Sequence, residues 1–250
     1  MTIRCLALCL DAPMQSWGLR GRATIRDTAT EPTKSGVVGL LCCALGVSRD
    51  NESGIARLAA LRMGVRVDRE GILERDYHTV QNVPTTSGSG HRTIESQRYY
   101  LADALFLVVL EGEPELLDTL NRAVLQPHWP LYLGRKAFVP SRPLVVPPVD
   151  GAARPLSGAG LIAEELEGVL AGHPWLENRA DVRVRERRRA QRTPLRTVVD
   201  CDQAHPLAEL SYDYPVNFAR DRRTFRARTF LRGQVPLTDG MIPQEADACT

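Results

Sequence analysis

Two things are scarce in this sequence of 250 residues: lysine and long apolar runs. Only Lys34 and Lys136 are lysines, and every other residue in the Lys+Arg total of 32 is arginine. No apolar stretch approaches the roughly 20 residues that a membrane span needs. The first residues, Thr2 to Leu10, are too short for a secretory signal and run directly into Asp11 and Pro13. The expectation is a cytoplasmic protein with no membrane association. Six cysteines contain no CxxC pair and no histidine at ligand spacing, so they read as reduced, small core side chains. Carboxylates are scattered and no HxxxH pattern occurs, so neither a metal site nor a cofactor is expected. The sequence Pro32-Thr-Lys-Ser-Gly36 is no phosphate-binding Walker loop, because no glycine stands five residues before Lys34. Nothing points to a small-molecule substrate.

What is present is arginine, and it is clustered. Eight arginines fall between Arg179 and Arg196, and six more between Arg220 and Arg232. A guanidinium is a planar fork that matches phosphate and can stack on bases. Such clustering is the footprint of a nucleic-acid binder, although basic runs are also often solvated faces.

Periodicity gives the architecture. Residues 2–10 carry apolar side chains on both faces, as in a strand covered on both sides. A helix opens at Pro32–Gly36, runs through Leu45 and ends at Gly46. A second short helix is expected near 52–61, strands at 63–67 and 71–81, and further strands through 99–101 and 104–110. A helix over 114–125 follows. The order strand, helix, strand, strand, helix, strand over the first 140 residues predicts a ferredoxin-like unit. Residues 141–157, rich in Pro and Gly, read as a linker. Beyond them a helix is expected near 160–171, with short strands around 181–188, 195–200 and 225–235. The fold class is thus α+β. Residues 1–145 form a ferredoxin-like (modified RNA-recognition) domain, and residues 146–250 a smaller, mostly β part.

Four segments could carry chemistry. In the first, Gln15 and Trp17 with Arg20, Arg22 and Arg26 could stack a base and clamp phosphates; equally, Trp17 could seal the edge of the core. In the second, Thr33, Lys34 and Ser35 open a helix whose free N–H groups favour an anion, or simply form a well-capped start with an exposed lysine. The third is a polar hairpin over 78–98 with His78, Thr79, Gln81, His91, Arg92 and Arg98, either a clamp over an extended strand or a mobile loop. The fourth is Tyr132-Leu-Gly-Arg-Lys136, where glycine permits close backbone approach while Arg135 and Lys136 reach outward.

Taken in order, Leu10-Asp-Ala-Pro-Met-Gln-Ser-Trp-Gly18, Pro32–Leu41, Ala44-Leu-Gly46, Arg98–Ala104, Tyr132–Lys136 and Tyr212–Val216 with Arg222-Arg223 resemble the CasD subunit family of type I-E CRISPR Cascade complexes. The likeness covers nearly the whole chain. It implies an RNA-recognition fold with the 78–98 hairpin as a thumb. It also implies a non-catalytic subunit that grips the 5′ handle of the CRISPR RNA, caps the filament of backbone subunits and helps seat the large subunit that reads the PAM. Target DNA would be met only indirectly. The handle contacts it implies are Gln15, Trp17, Arg20, Arg22, Arg26, Thr33, Lys34, Ser35, Arg92, Arg135 and Lys136. The alternative is a metal-independent endoribonuclease using a group such as Tyr100, His78 or Lys136, for which no diagnostic constellation exists. A DNA-binding regulator would want a polar recognition helix, and the first helix is apolar.

Overall fold

The computed structural model describes residues 4–19, 24–146 and 160–243. The chain is a mixed α+β protein. Strand β1 (Arg4–Asp11) is followed by two short strands, β2 (Met14–Gln15) and β3 (Ile25–Arg26), then helices α1 (Lys34–Leu45) and α2 (Glu52–Ala59). Strand β4 (Arg62–Arg69), the long β5 (Ile72–Pro84) and β6 (His91–Ala102), and β7 (Leu105–Gly112) come next, then α3 (Pro114–Leu125). The remainder holds β8 (Leu161–Ile162), α4 (Leu166–Gly172), α5 (Ala180–Arg187), β9 (Leu195–Asp200), β10 (Glu209–Asn217) and β11 (Thr224–Val235).

Seven strands form one antiparallel sheet in the order β10-β11-β9-β4-β7-β1-β8. As the two-faced apolar pattern of β1 requires, Leu6, Leu8 and Leu10 on one face and Cys5, Ala7 and Cys9 on the other are all buried. Burial pushes the Cys5, Cys9 and Cys42 thiols up to about 12, so they pack as inert apolar groups. Helix α1 starts where expected because the Thr33 side chain accepts a hydrogen bond from the Gly36 N–H. It ends at Gly46, whose left-handed φ of 74° returns an N–H to the Cys42 carbonyl. Helix α3 buries Leu116, Leu117, Leu120 and Val124, a stripe at helical spacing.

Three expectations change. The span 181–188 is a helix, not a strand. The alternating Val182-Arg-Val-Arg pattern suggested period two, but arginine and glutamate are good helix formers, and the face that α5 buries is Arg183 and Glu186, three apart. Strand β10 was not anticipated, since Asp213 and Pro215 interrupt its pattern. It lies at the sheet edge and is bulged on either side of Tyr214 and Pro215, where a missing N–H is tolerated. Residues 141–146, read as the start of a linker, lie along β1: Ser141 N donates to Asp11 O, Cys9 N donates to Leu144 O, and Leu144 and Val145 are buried. The rest of that expected linker, 147–157, is outside the described residues.

The strands beyond residue 146 continue the same sheet, with Val65 of β4 opposite Val198 of β9. Two buried ionic networks fix this join. The Arg66 guanidinium, fully buried, pairs with Asp68 at 2.6 Å and donates to the carbonyls of Leu170, His173 and Pro174, tying the end of α4 to β4. Asp68 also accepts from Leu176 N, and its carbonyl accepts from the Trp175 indole. In the second network Arg228 donates to Asp213 and Asp200, Asp213 accepts from the Lys34 backbone N–H, and the Lys34 ammonium bonds Asp200 and the Leu61 carbonyl. Every charge is matched, as burial demands.

Candidate nucleic-acid interface

The second sheet is built around the β5–β6 hairpin. Its strands pair from Ile72↔Ala102 to Pro84↔His91, with His78 opposite Ser96, so it is longer than the expected 78–98. Apart from Val83, every residue of β5 is exposed, including Ile72, Leu73, Tyr77 and Val80. At its root β6 is flanked by β2 and β3 and Leu101 is buried, but the outer part toward the tip stands off the body with no core of its own, and a two-stranded ribbon in that state gains order from what it touches.

Three arginines meet at the base of this hairpin. Strand β3 runs parallel to β6 and sets Arg26 opposite Arg98. Arg135 donates to the Tyr99 carbonyl at 2.7 Å and lies over the Phe138 ring at 5.2 Å. Burial, then the charge of Arg98, with Arg26 adding to it and Asp76 opposing, holds the Arg135 guanidinium below its ordinary value. Like charges gathered in this way are relieved by a bound anion, and guanidinium forks match phosphate oxygens. The turn that carries Arg135 is pressed onto the strand edge: Ser16 N donates to Leu133 O, and Gly134 sits at φ 101°. A Cβ there would come within 1.9 Å of the Ser16 carbonyl, so only glycine allows this approach.

The predicted contacts divide sharply by burial. Arg26, Arg92 and Lys136 are exposed, and Ser35 and Arg135 half-buried. Arg92 lies near the hairpin tip, opposite Val83. Gln15 is buried, and its amide donates to the carbonyls of Leu10 and Ala104, tying β2 to β1 and to the residue just before β7. Trp17 is 1% exposed and packs on Gly36, where any added Cβ would lie 2.7 Å from its ring. That burial favours the core-edge reading of Trp17 over base stacking. Thr33 is the buried cap of α1. Lys34 is 4% exposed, its ammonium held at 2.5 Å by Asp200, so as placed it faces a carboxylate and not solvent. Burial pushes its pKa down against the pull of Asp200. Arg20 and Arg22 lie outside the described residues.

Arg98 was read only as part of the thumb. The parallel pairing that brings Arg26 beside it joins positions 72 apart in sequence, and no local pattern signals such a contact. The groups considered for RNA cleavage are spread along the ribbon. His78 faces Ser96, four residues from Tyr100 on β6, or about 13 Å along the strand. Lys136 lines a separate groove of about 840 Å³ beside α1. Among the described residues no group of three His, Cys, Asp or Glu side chains could hold a metal ion, and no helix is long and apolar enough to cross a membrane.

Comparison with known proteins agrees with this architecture. A family model described as CRISPR-associated protein (Cas_Cas5) matches residues 5–231. A curated relative from Escherichia coli (strain K12), named CRISPR system Cascade subunit CasD, is 38% identical over 154 residues, which cover 56% of this chain and 68% of that protein. Among solved structures, one described as a crystal structure of a Cas protein shares 37% identity, covers 96% of this chain and 98% of its own, and has a TM-score of 0.67. A chain from a structure described as a CRISPR RNA-guided surveillance complex shares 27% identity over 98% of this chain and 95% of its own, with a TM-score of 0.74. With a family model spanning nearly its whole length, the chain belongs to the CRISPR-associated Cas5 family.

Proposed function

We propose that this chain is the subunit of a type I-E CRISPR RNA-guided surveillance complex that grips the 5′ handle of the CRISPR RNA. In this role it caps the backbone-subunit filament, helps seat the large PAM-reading subunit and performs no catalysis. The observation that carries the reading is the crowding of Arg26, Arg98 and Arg135 at the root of an exposed hairpin. Three guanidiniums in one place form a backbone clamp for a single strand, and the hairpin is an arm that can fold over it. The likeness to CasD and to a chain of an RNA-guided surveillance complex supports the assembly.

The order β8-β1-β7-β4, with α1 and α3 in the two crossovers, supports a ferredoxin-like, modified RNA-recognition unit. Here α2 is an addition, and β9 to β11 extend the β4 edge. The handle contacts proposed are Arg26, Arg92, Arg98, Arg135, Lys136 and Ser35, together with Arg20 and Arg22, which the family resemblance implies. For Gln15, Trp17, Thr33 and Lys34 the proposed part is indirect: they hold the first loop and the start of α1 in shape.

The test is the salt dependence of binding to a single-stranded RNA of repeat-derived sequence. Each phosphate neutralised on a single strand contributes about −0.7 to the slope of log affinity against log salt. Removing all three guanidiniums (Arg26→Ala, Arg98→Ala and Arg135→Ala) makes the slope shallower by about 2. A slope that stays unchanged sinks the clamp. Repeat RNA cut by the purified chain without metal brings the endoribonuclease reading forward.

A further inference from the structure

Away from the hairpin base, a groove runs beside α1. It lies between that helix, the loop 129–139 and the turn that joins β10 to β11. Its volume of about 840 Å³ lies within the roughly 300–1,000 Å³ of small-molecule pockets. Three aromatic rings line it from two places in the chain: Trp129, which is 42% exposed, and Tyr132 from the loop, and Phe218 from the turn. On the helix side Gly39 keeps the wall low, an added Cβ there lying 3.9 Å from the Phe218 ring, and Ser35 and Ser48 bring hydroxyls. Among the described residues no carboxylate lines it. Three cations do, Arg49, Lys136 and Arg223, and among the described residues none of them has a carboxylate within ion-pair distance.

We infer that this groove is a nucleotide pocket, which holds one unstacked base of the bound single-stranded RNA while Arg49, Lys136 and Arg223 take the phosphates on either side. The inference rests on the RNA-binding reading above and deepens it, since Ser35 and Lys136, contacts in that reading, both line this groove. Stacking rings and lone cations are the combination that single-strand binders use, because every base offers a flat face and every linkage a charge. The loop at 132–136 provides continuity. Arg135 turns to the hairpin base, where it bonds Tyr99 O, while Lys136, its neighbour, lines the groove. A strand leaving the arginine clamp over this loop enters the groove directly. Around Arg223 the same turn carries Arg220 and Arg222, and the start of β11 carries Arg226, all exposed, which continue the positive path. An acidic peptide would also be drawn to the cations. The three rings and the connection to the clamp favour RNA.

The experiment uses the full-length chain and a repeat-derived single-stranded RNA carrying 4-thiouridine, photo-crosslinked and mapped by mass spectrometry. Crosslinks are expected both on the hairpin base and on peptides containing Trp129–Tyr132 or Phe218. The double variant Arg49→Ala/Arg223→Ala should lose the groove crosslinks and bind on the order of tenfold more weakly. Its salt slope should be shallower by about 1.4, two phosphates at 0.7 each, with an unchanged unfolding midpoint. A second variant, Trp129→Ala, should lose the groove crosslinks with the salt slope unaltered, since it removes a stack and no charge. Crosslinks confined to the hairpin base, with full affinity in the double variant, overturn the pocket and leave the handle reading intact. The same result together with loss of a co-purifying protein assigns the groove to a protein partner and equally overturns it. Absence of any crosslink or binding overturns both readings together.

Discussion

Between Arg179 and Arg196 most guanidiniums are turned onto partners within the chain. Arg179 grips Glu177, Arg189 pairs with Glu186, Arg192 with Asp239, and Arg196 with both Glu31 and Glu70. Arg183 and Arg187 donate to backbone carbonyls of residues 178, 242 and 243. Between Arg220 and Arg226 the pattern is reversed. Four arginines are exposed, and among the described residues the one ion pair is Arg222 with Asp221 at 3.8 Å, both largely in solvent. An exposed pair at that distance contributes little. The difference lies in the neighbours. Acidic side chains, the local Glu177 and Glu186 and the distant Glu31, Glu70 and Asp239, surround the first stretch and convert it into internal mortar. The β10–β11 turn stands at the end of an edge strand with few acids near it, so its charge stays available to an outside anion. Density of arginine in a sequence is therefore a poor guide to binding until the carboxylates facing each one are known.

The largest effect expected from this contrast comes from an arginine only two positions past the exposed group. Arg228 is buried against Asp213 and Asp200. Arg228→Ala leaves buried Asp213 without a cation and Asp200 with Lys34 alone, and should cost about 3–5 kcal/mol in urea unfolding. A loss below 1 kcal/mol would mean that the network is dispensable and the division between inward and outward arginines is drawn wrongly.

Next in size is a pH effect on the first stretch. Burial pushes the Glu177 carboxyl up, but hydrogen bonds from Arg179 and Arg69 outweigh it and hold it at about 2, below the usual 4.5. A depressed carboxylate contributes stability above its unfolded value and loses it as pH falls toward the folded one. Stability should thus decline between about pH 4.5 and pH 2 by up to roughly 3 kcal/mol. Glu177→Gln should remove this contribution to the decline. An identical profile in the variant would show that other carboxylates govern it.

The smallest effect separates the two stretches most cleanly. Arg196→Ala should cost about 1 kcal/mol of stability and leave RNA affinity within twofold, as its guanidinium serves Glu31 and Glu70. Arg223→Ala should do the opposite, with stability within about 0.5 kcal/mol and weaker RNA binding. If both variants behave alike in both assays, the comparison fails.

Much of the fold was legible where the local signal was strong. The α1 boundaries follow from Thr33 and Gly46, and α3 from Pro114 and its leucine stripe. The strand β10 was hidden because edge position, not composition, makes Pro215 acceptable. The site was half legible. Arg26, Arg92, Arg135 and Lys136 could be picked out as cations on polar segments. Lys34 looked the same by that criterion, yet its partner Asp200 lies 166 positions away. Trp17 has all the marks of a stacking residue except solvent access, which depends on Gly36 lying beneath it. Burial of these two is a tertiary property, and no window of sequence contains it.

The most direct test of the central claim is to purify the tagged chain from its own host and sequence the RNA and identify the proteins that accompany it. The account predicts short RNAs of uniform length with one shared repeat-derived 5′ end, together with several Cascade subunits. A chain that emerges without RNA, or with RNAs of unrelated sequence, contradicts it.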